Sequence, residues 1–443
     1  MSVQPTRRAA LLMVAVALAL LAWPGGQVPV VASVVALTVV VVLLVVADAL
    51  VATSPSRLVV ERRHPPVVVA GSEAQLTWTF RSEFGRTVEV ALADQLAPSL
   101  RARARRCSVK VPPGGTARVT TTLRPLRRGR FELDHVTVRL TGRLGLGTRQ
   151  VRVPLSTVLR VHPPFRSREE AELKIRRARI LEMGIRTARG QGGGTEFEQL
   201  REYGPDDEFR RIDWTATART GRTIVRTYRA ERNQSVLVLL DNGRTMAGRV
   251  AGVPRVEHAM DAAMMLSHVA TRLGDRCGLV AFDRTVRATV PPARHKDQVS
   301  RVTEAMFSLE PELAESDYTG AFAQVVARFR RRAMLVLLTD LVDQAVEDSL
   351  LPALPLITRT HLVVVGAVLD PQVVAWAAGA CGPDEDPDAV AYRRAAAVDA
   401  LAARRRTVAR LRGAGATVVD AAPGKLSSEL ADAYLLVKST GRL

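Results

Sequence analysis

Between Gly190 and Glu231 the chain concentrates groups that do proton chemistry. Glu196, Asp206, Asp207, Glu208, Asp213 and Glu231 stand among Arg201, Arg210, Arg211, Arg219 and Arg226. Carboxylates at this density are the raw material of paired acid and base catalysis. Opposite charges in near balance also build a salt-bridged surface, with Phe197 and Trp214 expected to anchor the segment to the layer that follows. That layer opens with Ser235-Val-Leu-Val-Leu-Leu-Asp241, a strand delivering an aspartate to its carboxyl edge, where open α/β sheets bind ligands. Other chemistries lack their residues. There is no Gly-x-Ser-x-Gly and no His-Glu-x-x-His, and Gly190-Gln-Gly-Gly-Gly194 runs into Glu-Phe-Glu, which repels phosphate. The seven histidines show no zinc spacing.

Stepping outward from these residues, apolar runs alternate with amphipathic stretches. Strands are expected at 236–240, 277–282, 334–339, 362–368 and 416–419, and helices at 256–273, 295–307, 318–330, 346–354, 388–412 and 425–437. Buried strands separated by helices predict a doubly wound parallel sheet. Residues 166–189, charged with periodic Leu, Ile and Met, predict a connecting helix. Upstream the period is two, with short strands at 58–60, 75–80, 88–92, 117–123, 135–140 and 150–153 punctuated by Pro and Gly, as in an immunoglobulin-like β-sandwich.

The apolar runs 9–23 and 28–47 flank Pro24-Gly-Gly-Gln27. The second has about the 20 residues a membrane-crossing helix needs. Arg7 and Arg8 precede the pair, and Arg57, Arg62 and Arg63 follow it, so a transmembrane hairpin with both termini cytoplasmic is expected. A cleaved signal peptide is the competing reading, but no small-x-small site precedes the second run. The net charge of +19 over 443 residues is almost wholly arginine, with no recognition motif for nucleic acid beside it. Cys107, Cys277 and Cys381, widely spaced and odd in number, are expected to be reduced.

The block running from Thr195-Glu-Phe through Tyr203, Asp206-Asp-Glu-Phe-Arg210, Ile212-Asp-Trp214 and Ala218-Arg219 to Tyr228 and Glu231 resembles the signature of the family catalogued as domain of unknown function fifty-eight. That resemblance implies a von Willebrand factor A-like last layer. It also implies a MoxR-type AAA+ ATPase as partner in protein assembly or maturation, alongside other von Willebrand factor A-like membrane proteins. Where the von Willebrand A fold binds metal, Asp-x-Ser-x-Ser follows the first strand, with a later Thr and a later Asp, all oxygen donors for a hard cation. Asp241, Thr245, Thr319 and Asp340 carry over, but Gly243 stands where a hydroxyl would coordinate, so a Mg²⁺ site is expected to be degenerate. The arrangement expected is residues 1–55 as membrane helices, 56–164 as sandwich, 165–231 as helical connector and signature block, and 232–443 as the α/β layer. The function expected is non-catalytic, with no certain cofactor and no nucleic acid: a membrane-anchored scaffold docking its partner through Glu196, Phe197, Arg201, Tyr203, Asp206, Asp207, Arg210, Asp213, Trp214 and Arg219. An enzyme using the signature carboxylates and an anionic-surface binding module are the alternatives.

Overall fold

Alternation of buried and exposed side chains makes strands of much of residues 58–162. In Ala74–Ser82 every second side chain is buried, which sends Leu76, Trp78 and Phe80 inward. The computed structural model describes residues 2–21, 30–51, 57–188, 196–204, 207–229, 234–383 and 385–440. The chain forms two units, Met1–His162 and Pro163–Leu443.

In the first unit, Leu58–Arg63, Ala74–Ser82 and Thr116–Leu123 make a three-stranded antiparallel sheet. A second sheet runs in the order Ser2–Pro5, Gly147–His162, Gly129–Thr141, Val88–Asp94, Arg106–Val111, with Val67–Val69 paired to the end of Gly147–His162. Both sheets contribute to one apolar core around Trp78, Leu92, Leu123, Val138 and Leu159. A buried ion pair ties them together. Arg62, from the first sheet, holds Asp94, from the second, through Nε at 2.9 Å and Nη2 at 2.7 Å. Its Nη1 donates to the carbonyls of Leu133 and Leu155 and to Thr157 Oγ1, while Trp78 Nε1 donates to Asp94 at 2.7 Å.

The structure does not bear out the expected transmembrane hairpin or the multi-pass membrane placement that rests on it. Among the described residues no helix is long and apolar enough to cross a membrane. The Arg7–Leu21 helix has 15 residues, which at 1.5 Å each is about 22 Å, short of a roughly 30 Å hydrocarbon layer. The last turns of Val30–Val51 are taken up by protein: Val41 and Val45 form a small core with Ala9 and Leu146. Asp48 accepts the amides of Leu144 at 2.7 Å, Leu146 at 2.8 Å and Gly147 at 2.9 Å. Burial pushes its carboxyl up, but these amides and the charge of Arg86 outweigh that and hold it below the usual range. At the other end, Ser2–Pro5 pairs with residues 147–150 and Thr6 Oγ1 donates to Gly145 O at 2.6 Å. Arg62, counted as a flanking surface charge, is instead inside the sandwich.

The second unit is built on a six-stranded sheet in the order Val286–Ala293, Arg276–Phe282, Ser235–Asp241, Met334–Leu338, Leu362–Val368, Thr417–Ala421. All neighbours are parallel except the first pair. Its central strands are buried on both faces, so their residues divide between two cores. Val236, Val238 and Leu240 face one core with Arg255–Arg272 and Leu426–Thr440, and Leu237 and Leu239 face the other with Tyr318–Arg328. The helix Arg168–Ala188 packs through Ala171 and Ile175 into the first core, so it belongs to this layer rather than merely leading to it. Met334–Leu338 ends at Leu338, which pairs with Gly366 of the adjacent strand, and Asp340 follows two residues later, beside the end of the strand that carries Asp241.

Candidate functional site

Two regions hold the residues singled out by sequence. The first is the carboxyl edge of the sheet. The chain leaves Ser235–Asp241 for a strand on one side and returns to pair Met334–Leu338 on the other. This is a topological switch point, where loops diverge and leave a crevice. A cavity of about 250 Å³ lies there, bounded by Arg244 and Thr245, by Glu315, Ser316 and Tyr318, and by the 342–349 segment.

Asp241 is wholly buried. Its Oδ1 accepts Gly243 N at 2.9 Å and Ser316 Oγ at 2.5 Å. Its Oδ2 accepts Tyr318 Oη at 2.7 Å and Thr339 Oγ1 at 2.6 Å. A carboxylate offers about four lone-pair positions, and four donors fill them. Burial and the charge of Asp241 push the Tyr318 phenol well above its ordinary pKa, which keeps it a donor. Asp340, 3% exposed, accepts Leu341 N at 2.9 Å and Arg404 Nη1 at 3.0 Å, and Arg255 Nε lies 3.3 Å from its other oxygen. The Arg255 contact is an ion pair without hydrogen-bond alignment.

A divalent cation fits this donor set poorly. The four acceptor positions of Asp241 are taken, Asp340 faces two guanidinium groups, and Thr319, exposed at the start of its helix, leaves its neighbour Tyr318 to reach Asp241. Thr245 lines the cavity. A side chain at Gly243 would overlap Ser316 Oγ and lie 3.1 Å from Ala314 O. Ser316 therefore supplies from another loop a hydroxyl next to the position that Gly243 leaves bare. No group of three His, Cys, Asp or Glu side chains able to hold a metal occurs among the described residues.

The second region is the signature block. Glu196–Glu202 pairs antiparallel with Ile224–Arg229, and the turn Phe209–Arg211 and helix Trp214–Thr220 lie between them. Its charges are organised as clamps. Arg201 holds Asp207 through two bonds of 2.8 and 2.6 Å, and Gly204 N donates to the same carboxylate at 2.8 Å. Asp213 caps the helix, accepting Thr215 N at 3.0 Å and Ala216 N at 3.1 Å on Oδ1, and accepts Arg226 Nε at 2.7 Å on Oδ2. Arg222 pairs with Glu202, and Arg211 with Glu208. The bond from Arg226 and the amide bonds hold Asp213 below the usual carboxylate range. Burial pushes Asp207 up, but Gly204 and Arg201 outweigh it and its pKa falls as well. An acid that must carry a proton near neutral pH needs the opposite shift.

Trp214 is 61% exposed and Phe209 69%, their rings in edge-to-face contact at 5.7 Å. The expected anchoring of this block by Trp214 is thus corrected: the indole points to solvent. Tyr203, Arg210 and Arg219 are exposed too. Glu196 and Phe197 lie on the first strand, opposite Arg229 and Tyr228, with side chains outside the described residues, as is Asp206 altogether. Ser316 and Tyr318 lie within three residues of Thr319 and Thr339 precedes Asp340, so adjacency to those residues is the sequence signal for them. Arg255 and Arg404 had none, since 85 and 64 residues separate them from Asp340. Among nucleophiles, Cys277 is enclosed, its thiol pushed up to about 12 by burial.

A β-sandwich followed by a mixed, doubly wound α/β unit with a charged hairpin defines the class. Residues 199–376 match the family model described as "Protein of unknown function DUF58". Uncharacterized proteins of Mycobacterium bovis and Mycobacterium tuberculosis are each 27% identical over 186 residues, covering 41% of this chain and 57% of theirs. The chain thus spans a little over half the length of these curated relatives. Among solved structures, the CARDB domain of a Pyrococcus furiosus protein is 13% identical with a TM-score of 0.16, over 24% of this chain and 86% of that one. A C. elegans MSP family member is 13% identical with a TM-score of 0.17, over 23% of this chain and 97% of that one. Structural likeness of that degree carries nothing further.

Proposed function

We propose that the chain is a non-catalytic docking protein whose α/β unit, read as von Willebrand factor A-like, presents the signature hairpin to a partner. The observation that carries this is the Phe209–Trp214 pair, two large rings 69% and 61% exposed on a hairpin whose partly buried carboxylates are clamped from within. Tryptophan anchors are over-represented where binding energy concentrates, and leaving two rings in water costs solvation that a partner would recover. Exposed Arg210 and Arg219 would steer association more than they hold it. The low-pKa, ion-paired state of Asp207 and Asp213 favours a supporting role over catalysis.

The family resemblance makes a MoxR-type AAA+ ATPase the partner to test, with protein assembly or maturation as the process. Purified ATPase, with and without nucleotide, is titrated against the full chain. Saturable binding that Phe209→Ala and Trp214→Ala each weaken is the expected result. Binding indifferent to both changes would remove the hairpin from the interface, and a turnover lost in Asp207→Ala would put an enzyme in its place.

A further inference from the structure

At the sheet edge, positive charge comes from the chain itself. Arg404 lies on Pro387–Gly413, the long helix before the last strand. Its Nη1 donates to Asp340 at 3.0 Å, its Nε to Asp420 at 2.9 Å, and its Nη2 to Asp420 at 2.8 Å and to the Val368 carbonyl at 3.0 Å. Four donors on one planar guanidinium therefore meet acceptors on three strand ends or the loops beyond them. Its side chain is 14% exposed. Arg255, at the start of Arg255–Arg272, approaches Asp340 from the other core's helix layer. Burial works against the charge of Arg404, but Asp420 and Asp340 outweigh it and raise its pKa.

We propose that Arg404 and Arg255 take the place of a divalent cation at this edge, so that the site is compensated from within the chain and closed to metal. Three features independent of one another converge on this. The guanidinium pair neutralises Asp340, which a cation would need as a bare carboxylate. Asp241 spends its lone pairs on Gly243, Ser316, Tyr318 and Thr339. Gly243 keeps open the space that Ser316 Oγ enters. A planar fork with fixed charge also suits two carboxylates better than a spherical ion suits a partly buried, crowded site. A partner of this unit then needs no carboxylate to complete a metal shell, and its docking is indifferent to chelator. The proposal does not depend on which surface the partner uses.

The test uses Mn²⁺, a paramagnetic stand-in for Mg²⁺, titrated into the full chain and followed by electron paramagnetic resonance, together with melting in MgCl₂ and in EDTA. In the wild type the free-ion signal is expected to match that of the Asp340→Asn control, and the melting temperature to be the same in both media. In Arg404→Ala, with Asp420 unpaired and Asp340 left to Arg255 alone, MgCl₂ is expected to raise the melting temperature by a few degrees over EDTA, and Asp340→Asn added to it removes the rise. Arg404→Gln, which keeps hydrogen bonds without charge, is measured alongside in case Arg404→Ala does not fold. Stoichiometric Mn²⁺ binding by the wild type that Asp340→Asn abolishes overturns the proposal. So does a Mg²⁺ response of equal size in the wild type and the Arg404 variants, or in neither.

Discussion

The sheet edge and the signature hairpin are both rich in Asp and Arg, yet they spend those charges differently. At the edge, Asp241 and Asp340 are 0% and 3% exposed, and their partners come from loops and helices far apart in sequence. In the hairpin each clamp is local: Arg201 with Asp207, Arg226 with Asp213, Arg222 with Glu202. The edge therefore holds the α/β unit together, whereas the hairpin holds only its own shape and leaves Phe209 and Trp214 outward. The same residue types thus mark a closed site in one region and an open surface in the other, and burial decides which. Breaking the two kinds of clamp should give opposite results.

The largest effect belongs to Arg404→Ala. It leaves Asp340 and Asp420 without their shared cation, and removing one partner of a buried pair costs about 3 kcal/mol or more. Denaturant unfolding of the full chain reads it; a loss below about 1 kcal/mol would mean that water already screens the edge. Next is Gly243→Ser, which would restore the hydroxyl of the metal-binding pattern. Because the new Cβ overlaps Ser316 Oγ, it should cost about 2 kcal/mol from overpacking and confer no Mg²⁺ binding. Adding Ser316→Gly should recover most of that loss. A stable single variant that binds Mg²⁺ would show that the loop yields and that crowding does not close the site.

Much of this contrast could not be seen along the chain. The apolar runs at 236–240, 277–282, 334–339 and 362–368 coincide with sheet strands because strands buried on both faces must be continuously apolar, a local and legible property. The position of Asp241 at a strand's end followed from the same run. The hydroxyls around it and the arginines opposite Asp340 did not, because tertiary pairing carries no periodicity. Arg62 is the sharpest case: a basic residue after an apolar run reads as a flank, and only the cross-sheet pairing with Asp94 makes it core. Likewise two apolar runs suggest a membrane hairpin, while among the described residues no helix is long and apolar enough to span one and Asp48 docks onto the 144–147 turn. Trp214 is ambiguous in sequence for a related reason, since an aromatic in a charged block reads equally as an anchor or as an exposed contact.

Trp214→Ala sharpens the comparison from the hairpin side. A ring 61% exposed gives up little packing when removed, so stability should change by no more than about 0.5 kcal/mol. Partner capture should fall about tenfold, or 1.4 kcal/mol. A large stability loss with capture intact would turn the hairpin into a structural element and reverse the contrast drawn with the edge.

The smallest effect is on acid sensitivity. Asp213 and Asp207 have folded pKa values below those of an unfolded aspartate, near 3.9. As pH falls past that value the unfolded chain binds protons first, so the stability these carboxylates contribute is fully present above about pH 4 and is lost as pH drops through the lower folded values. The hairpin should keep its fold at pH 5 and loosen only in stronger acid, and Asp213→Asn should weaken it at neutral pH while flattening that dependence. Carbon-13 titration of the aspartate carboxyls reads both carboxylates directly. A midpoint for Asp213 at or above the unfolded value would mean that the Arg226 clamp is not formed in solution, and the hairpin would then lack the rigidity that a preorganised docking surface requires.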